Sequence, residues 1–420
     1  MGEFGWPSGM QNIKCELITV DAELNMLINN KIKRELLRIL NQMRSLIMNT
    51  YEPYKRWKHA RNRSENPNIC LNSAHTRKDK VAVYLVFQPQ GLMTSTWLTL
   101  EHLNRKGYST LLVSNSALTP EDKARALPLC WQIMQRPNFG YDFGGYQDGV
   151  IAVMESSHTI QQMLILNDSI WFPLQRQCDF LDRIETSDAG FVGAFQLEPT
   201  RDRSKMQGKK RPFMGSFFWH FKQPVLLNPV FMAFWRNYKA TSSKYATIRR
   251  GERRFTHHLL DAGIVGEAMY SRLEFDRWIK KIRGPDVRQA LERLCTADAA
   301  LSTQRTALLA RYQLDEAWET EAKYLAFLIT KSQNIIATAP LYMVGDLKLP
   351  FLKKSGDEAN LLALQELNVF FTNHPELIDT CVLDEIRQVL HRRSNKQPSA
   401  NQSYSPEEPD ANNAMMPNEK

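Results

Sequence analysis

The chain lacks any apolar run near the ~18 residues that a membrane-crossing helix requires, which excludes a helical span. Its opening residues, Met1-Gly-Glu-Phe-Gly-Trp6, lack the charged-then-apolar plan of a secretory signal, so a cytoplasmic location is expected. Cysteine is sparse: six residues, at 15, 70, 130, 178, 295 and 381, show neither a CxxC pair nor a zinc-ligand spacing. That pattern fits reduced thiols used as small apolar residues and argues against a disulfide framework. Familiar catalytic signatures are missing as well. No GxSxG elbow and no Walker A loop is present, and Gly140, Gly144 and Gly145 do not follow the GxGxxG spacing. Acidic residues are in the minority, 45 against 54 Lys and Arg, for a formal charge of +9. No RNA- or DNA-binding module accompanies that excess, so nucleic acid is not an expected partner. An anionic membrane surface or a diphosphate substrate accounts for the charge equally well.

What is present divides the 420 residues into four stretches. Residues 1–78 read as an N-terminal amphipathic helical arm, with Leu24, Ile28, Ile32, Leu36, Leu40, Met43 and Ile47 at helical spacing beside a basic face. The stripe suits either packing on the protein's own core or a helix lying on the inner leaflet, helped by Tyr54 and Trp57. Arg61 to Ser73 is polar and reads as loop. Residues 79–275 alternate strand and helix: apolar runs at Val81 to Phe87, Leu111 to Val113, Trp131 to Met134, Met163 to Leu166, Gly190 to Phe195 and Phe213 to Phe221. Between the first two, Trp97, Leu100 and Leu103 recur at helix spacing and Gly107 is placed to end the helix. Thr119-Pro-Glu-Asp122 has the form of an N-cap, a first-turn proline and two dipole-matching acids. This alternation predicts a mostly parallel sheet flanked by helices. Residues 276–393 read as a helical region, with Val287, Leu291 and Leu294 on one face and Leu361, Leu364, Leu367 and Val369 as later apolar positions. Residues 394–420 are rich in Ser, Asn, Pro and Glu and are expected to be disordered.

Two segments carry the chemistry. In Met163-Leu-Ile-Leu-Asn-Asp-Ser169 an apolar strand runs straight into Asp168, which no strand interior could hide. In an open α/β sheet ligands collect outside the carboxyl ends of strands. Asn167, Asp168 and Ser169 together form an oxygen-rich corner of the kind that holds a divalent cation shared with phosphate oxygens; a turn cap is the plainer alternative. Upstream, Arg136 to Gly149 packs glycines, aromatic residues and two aspartates into a short span, reading as a loop where backbone approaches a ligand and rings stack on a base or sugar.

Taken with Val81 to Phe87, Leu118 to Asp122 and Leu349 to Lys353, these segments resemble the rhamnan synthesis protein F family of bacterial surface-polysaccharide assembly. The motifs are the opening strand, GYDFG at Gly140 to Gly144, LNDS at Leu166 to Ser169, a Glu-led helix at Glu252 ending at Gly263, and Pro350 to Lys353, covering roughly residues 80–355. The resemblance implies a GT-A-like fold and transfer of a sugar, L-rhamnose from dTDP-rhamnose by the family name, to a lipid-linked or growing glycan acceptor such as lipopolysaccharide or O-antigen. With the basic amphipathic arm, a peripheral place at the inner face of the cell membrane is expected. Asp168 becomes the leaving-group residue and metal ligand, Glu252 the catalytic base, and Asn138, Gly140, Tyr141, Asp142, Gly144, Asn167 and Ser169 the donor-binding set. Asn167-Asp168-Ser169 stands where such folds often carry Asp-X-Asp for Mg or Mn, so a single carboxylate remains there. A non-catalytic nucleotide-sugar or glycan binding module is the competing class. In Phe213 to His220, Gly215 replaces a polar residue and Ser216 is a candidate sugar contact.

Overall fold

A computed structural model describes residues 51–156, 158–198, 211–313 and 315–394. The Leu24 to Ile47 stripe and the expected disordered tail from residue 395 on lie outside them. The chain divides into two compact units, one made of residues up to Asp168 plus Asp179–Ser271, the other of Ser169–Cys178 plus residues from Arg272 onward.

The first unit is built on a mixed, mostly parallel sheet. Its strands are β1 (Ile69–Asn72), β2 (Lys80–Val86), β3 (Ser109–Ser114), β4 (Gln132–Gln135), β5 (Gln162–Asn167), β7 (Phe191–Leu197), β8 (Phe213–Met214), β9 (Phe218–Lys222) and β10 (Gly266–Tyr270). Their order is β1-β4-β3-β2-β5-β9-β7-β10, with β8 paired to β7. The central block β4-β3-β2-β5 is parallel throughout. Strands β2, β3 and β5 are buried on both faces, as strands covered by helices on either side must be. Crossover helices supply that cover: α1 (residues 51–65) leads in, followed by α2 (Thr94–Arg105), α3 (Pro120–Ala126), α4 (Tyr141–Met154) and α5 (Phe180–Thr186). Thr119 caps α3 as its sequence predicts, its hydroxyl accepting from Asp122 N at 3.0 Å. Gly107, at φ +84°, closes α2.

Three local readings need correction. Arg61 to Ser73 is not loop, because α1 continues to residue 65 and Ile69–Asn72 adds an antiparallel edge strand to β4. The GYDFGG stretch is the first turns of α4 rather than a glycine loop. A Cβ on Gly145 would lie 2.4 Å from Leu85, and one on Gly149 2.6 Å from Val83, so these glycines let the helix rest directly on β2. Phe213 to Phe221 is two strands, broken where Gly215 N bonds Phe195 O at 2.9 Å and Phe217 O accepts from Asn167 N.

Further along come α6 (Gln223–Leu227), α7 (Pro229–Asn237), α8 (Lys244–Thr247), a π-helical turn (Ile248–Arg253) and α9 (Arg254–Asp261). Phe143 of α4, Trp219 and Phe221 of β9, Phe231, Phe234 and Trp235 of α7 and Phe255 of α9 form one aromatic core with ring centroids 4.6–6.5 Å apart. The second unit pairs β6 (Ile170–Trp171) with β11 (Leu352–Lys353). Its helices are α10 (Arg272–Lys281), α11 (Pro285–Glu292), α12 (Ala299–Ala310), α13 (Glu316–Ser332), α14 (Ile335–Thr338), α15 (Glu358–Asn373) and α16 (Thr380–Ser394). Val287, Leu291 and Leu294 are buried as expected, as are Leu364 and Leu367. Val369 is exposed, because two steps beyond Leu367 a helix has turned to its opposite face.

Candidate active site

Strand order fixes where a ligand would sit. From β2 the chain moves to β3 and β4 on one side, and then returns to place β5 on the other side of β2. The carboxyl ends of β2 and β5 therefore part at a topological switch point, where open α/β sheets leave a crevice for ligand. Asn167 and Asp168 end β5 there, in register with Leu85 and the residues after it. Phe87 and Gln88, which follow β2, hold the Asp168 carboxylate: Oδ2 accepts from Phe87 N and from Gln88 Nε2, each at 2.9 Å. Gln88 is itself fixed, its Oε1 accepting from Met93 N at 2.7 Å.

Two further carboxylates reach the same crevice. Asp142 lies in the first turn of α4 and accepts from Asn167 Nδ2 at 3.0 Å. Glu252 lies in the π-helical turn before α9, and its Oε1 accepts from Ser216 N at 2.6 Å. A Cβ on Gly251 would meet the Phe143 ring at 2.6 Å, so the bare glycine is what lets this turn close on the aromatic core and bring Glu252 in. Burial first, and then the Asp168 and Glu252 charges, push the Asp142 carboxyl up to about 6; Lys244 and the Asn167 hydrogen bond act in the opposite direction. The same three carboxylates, after burial, raise the phenol of Tyr146, whose hydroxyl donates to Ser216 O at 2.8 Å.

Asp142, Asn167, Asp168 and Glu252 are thus gathered in one place. Gly140 and Tyr141 form the entry to α4, at φ +88° and +51°. Positive φ at a tyrosine is strained backbone, and such strain clusters at functional sites. Tyr141 is 43% exposed, and Asn138 is exposed on the approach to the same turn. Gly144 is buried, where a Cβ would lie 2.2 Å from Phe139 O; its place is set by this turn's packing. Arg136 holds the turn from beneath, with Nη2 on Phe139 O at 2.8 Å and Nε on the buried Asp148 at 2.7 Å. Ser169 falls in the second unit, where its carbonyl accepts from Lys354 N at 2.8 Å. Ser216 contributes backbone to the site through its bonds to Glu252 and Tyr146. Arg253 lies over the Phe213 ring at 5.1 Å and Arg254 is exposed.

Sequence reasoning misses Phe87, Gln88 and Lys244. The first two stand just beyond a strand with no motif of their own, and Phe87 is 51% exposed beside Asp168. Lys244 opens a four-residue helix after a Thr-Ser-Ser run, which has no local signal of a site.

Among the described residues no three His, Cys, Asp or Glu side chains close into a metal-binding group. A hard cation held by one carboxylate and by substrate phosphates needs no such cage. Asp168, oriented by two N–H donors at the switch point, suits that arrangement.

Residues 110–280 match the rhamnan synthesis protein F family. That segment includes the GYDFG and LNDS motifs and Glu252, while the opening strand and Pro350 to Lys353 lie outside it. A 28% identical relative in Sinorhizobium fredii, the uncharacterised protein y4gN, aligns over 93% of this chain and 96% of its own. Partial likeness extends to core-mannan synthase A of Aspergillus fumigatus in its Mn/GDP form (10% identity, 47% of this chain and 75% of that chain, TM-score 0.29). A mannosyltransferase of Pyrobaculum calidifontis, in complex with GDP-Man and Mn²⁺, covers 84% of this chain and 97% of its own at 12% identity and a TM-score of 0.25. Scores this low carry no argument about chemistry. The rhamnan synthesis protein F match, on a mixed sheet flanked by helices, supports a glycosyltransferase. Among the described residues no helix is long and apolar enough to cross a membrane.

Proposed function

We propose that this protein transfers a sugar from a nucleotide-sugar donor to a cell-surface glycan under assembly, with L-rhamnose from dTDP-rhamnose as the donor the family name favours. What supports this reading above all is the convergence of Asp142, Asp168 and Glu252 at the switch point between β2 and β5, inside the segment that matches the rhamnan synthesis protein F family. A GT-A-like reaction needs the departing diphosphate neutralised and the acceptor hydroxyl relieved of its proton. Lys244, the cation close enough to act on Asp142, is placed to meet diphosphate charge. Asp168 would hold Mg²⁺ or Mn²⁺, which when bound neutralises the leaving group. Glu252 accepts the acceptor's proton, its other oxygen pinned by Ser216 N so that the carboxylate faces one way. Asn138, Gly140 and Tyr141 form the donor-side rim, and Asp142 and Asn167 its floor.

The test is product formation by purified protein with a panel of nucleotide sugars, with and without EDTA. Asp168→Asn should lower turnover at least ~10²-fold with the fold intact. Glu252→Gln should suppress turnover by ~10²- to 10⁴-fold while calorimetric donor affinity persists. Donor binding without turnover by the wild type, across the panel and a set of glycan acceptors, would favour a binding module instead. Loss of donor binding along with turnover in Glu252→Gln would make that residue a donor ligand.

A further inference from the structure

Helix α1 presents an aromatic row to solvent. Tyr51, Tyr54 and Trp57 are 52%, 47% and 56% exposed, at a three-residue spacing that puts them on one helix face. Their rings run in sequence, 5.1 Å and then 5.9 Å between centroids. Cations border the row: Lys55 lies over Tyr51 at 5.5 Å and Arg61 over Trp57 at 5.7 Å, with Lys58 exposed beside them. Rings with an apolar body and a polar tip, edged by Lys and Arg, are what the boundary between lipid headgroups and acyl chains selects.

Charge points the same way. Residues 51–65, the described length of α1, hold five Lys and Arg against two Glu, a net +3. A partner for this face therefore carries negative charge and accepts aromatic rings. Lipid headgroups and nucleic acid both meet the first condition. The Trp and Tyr row on a basic helix, with no nucleic-acid module in the sequence, favours the lipid surface.

The helix is also fastened to the rim of the carboxylate crevice. Glu52, buried at 5% exposure, accepts from Ser242 N at 3.1 Å and from the Ser242 hydroxyl, and Lys55 Nζ donates to that hydroxyl at 3.0 Å. The Ser242 carbonyl in turn accepts from Tyr141 OH at 3.2 Å, one residue before Asp142. The His59 ring stacks on Phe139 of the same turn at 4.5 Å.

We propose that the Tyr51, Tyr54 and Trp57 face of α1 is a docking surface for an anionic bilayer, and that it holds the crevice at the membrane. If the transferase reading is right, the acceptor is then membrane-anchored; the docking itself does not depend on that reading. The full-length protein is to be floated with vesicles of phosphatidylcholine alone and of phosphatidylcholine with phosphatidylglycerol. It should rise with the second only, and high salt should weaken the association. Tyr54→Ser with Trp57→Ser should cut binding at least tenfold at an unchanged melting temperature. Should that double variant not fold, quenching by brominated lipid that Trp57→Phe abolishes in an otherwise intact protein reads the contact directly. No flotation of the wild type, equal flotation of a folded double variant, quenching that Trp57→Phe leaves unchanged, or displacement from vesicles by RNA would each overturn the proposal.

Discussion

Replacing Asp142 with Asn should stabilise the protein, and only at neutral pH. Folding puts this carboxyl among protein atoms beside Asp168 and Glu252, and raises it from 3.8 to about 6. A shift of about 2 units amounts to ~3 kcal/mol of destabilisation when the group is ionised. Some solvent still reaches the residue, so this is an upper figure. The sign follows from linkage. Well below pH 3.8 the carboxyl is protonated in both folded and unfolded chains, and no penalty exists. Between pH 4 and 6 the unfolded chain has lost its proton while the folded one keeps it, and the penalty grows. Above pH 6 both are ionised and the penalty is complete. The amide has nothing to titrate and keeps a carbonyl oxygen for Asn167 Nδ2, now 3.0 Å from the carboxylate. Urea denaturation of the wild type and Asp142→Asn at pH 3 and pH 7.5 should therefore show coincident midpoints at the lower pH and a higher midpoint for the variant at the upper. A gain of equal size at both pH values, or none at pH 7.5, would show that the three carboxylates do not crowd one another. Transfer activity should fall as stability rises, the trade expected where a site is built from groups that folding disfavours.

Two further changes probe how the crevice is held. Gln88→Ala removes one of the two N–H donors on Asp168 Oδ2 and should lower turnover roughly tenfold, with donor affinity read separately by calorimetry; full turnover would mean Phe87 N alone orients the carboxylate. Gly251→Ala pushes a methyl to 2.6 Å from the Phe143 ring and should cost about 1–3 kcal/mol in denaturant unfolding; a neutral result would mean the π-helical turn shifts freely and does not fix Glu252.

The fold shows in the sequence where its signals are local and paired. Thr119-Pro-Glu-Asp122 caps a helix because all four residues act within one turn. Met163 to Asn167 declares a buried strand and its end because an apolar run stops at a carboxylate. Asp168 is legible for that reason alone. Asp142 is legible as part of a dense motif, but its setting is not: four glycines in ten residues argue for loop by propensity, and the packing of Gly145 and Gly149 on Leu85 and Val83 overrides it. Only a sheet already in place gives those glycines a reason to be in a helix.

Phe87 and Gln88 show the limit from the other side. Nothing in Phe87-Gln-Pro-Gln90 marks a site, because the residue it serves is 80 positions away and becomes its neighbour only when β5 takes the place beside β2. Strand order is a property of the whole chain, and it decides which strand ends face each other across the crevice. The same holds for Ser216, a candidate sugar contact. The break between β8 and β9 turns its N–H to Glu252 and its carbonyl to Tyr146, a backbone contribution that any residue could make and that no motif marks. The carboxylates that meet at the crevice could be nominated one by one from the sequence. The groups that aim them are largely main-chain atoms and strand-end neighbours, whose identity the sequence does not need to specify and therefore does not display.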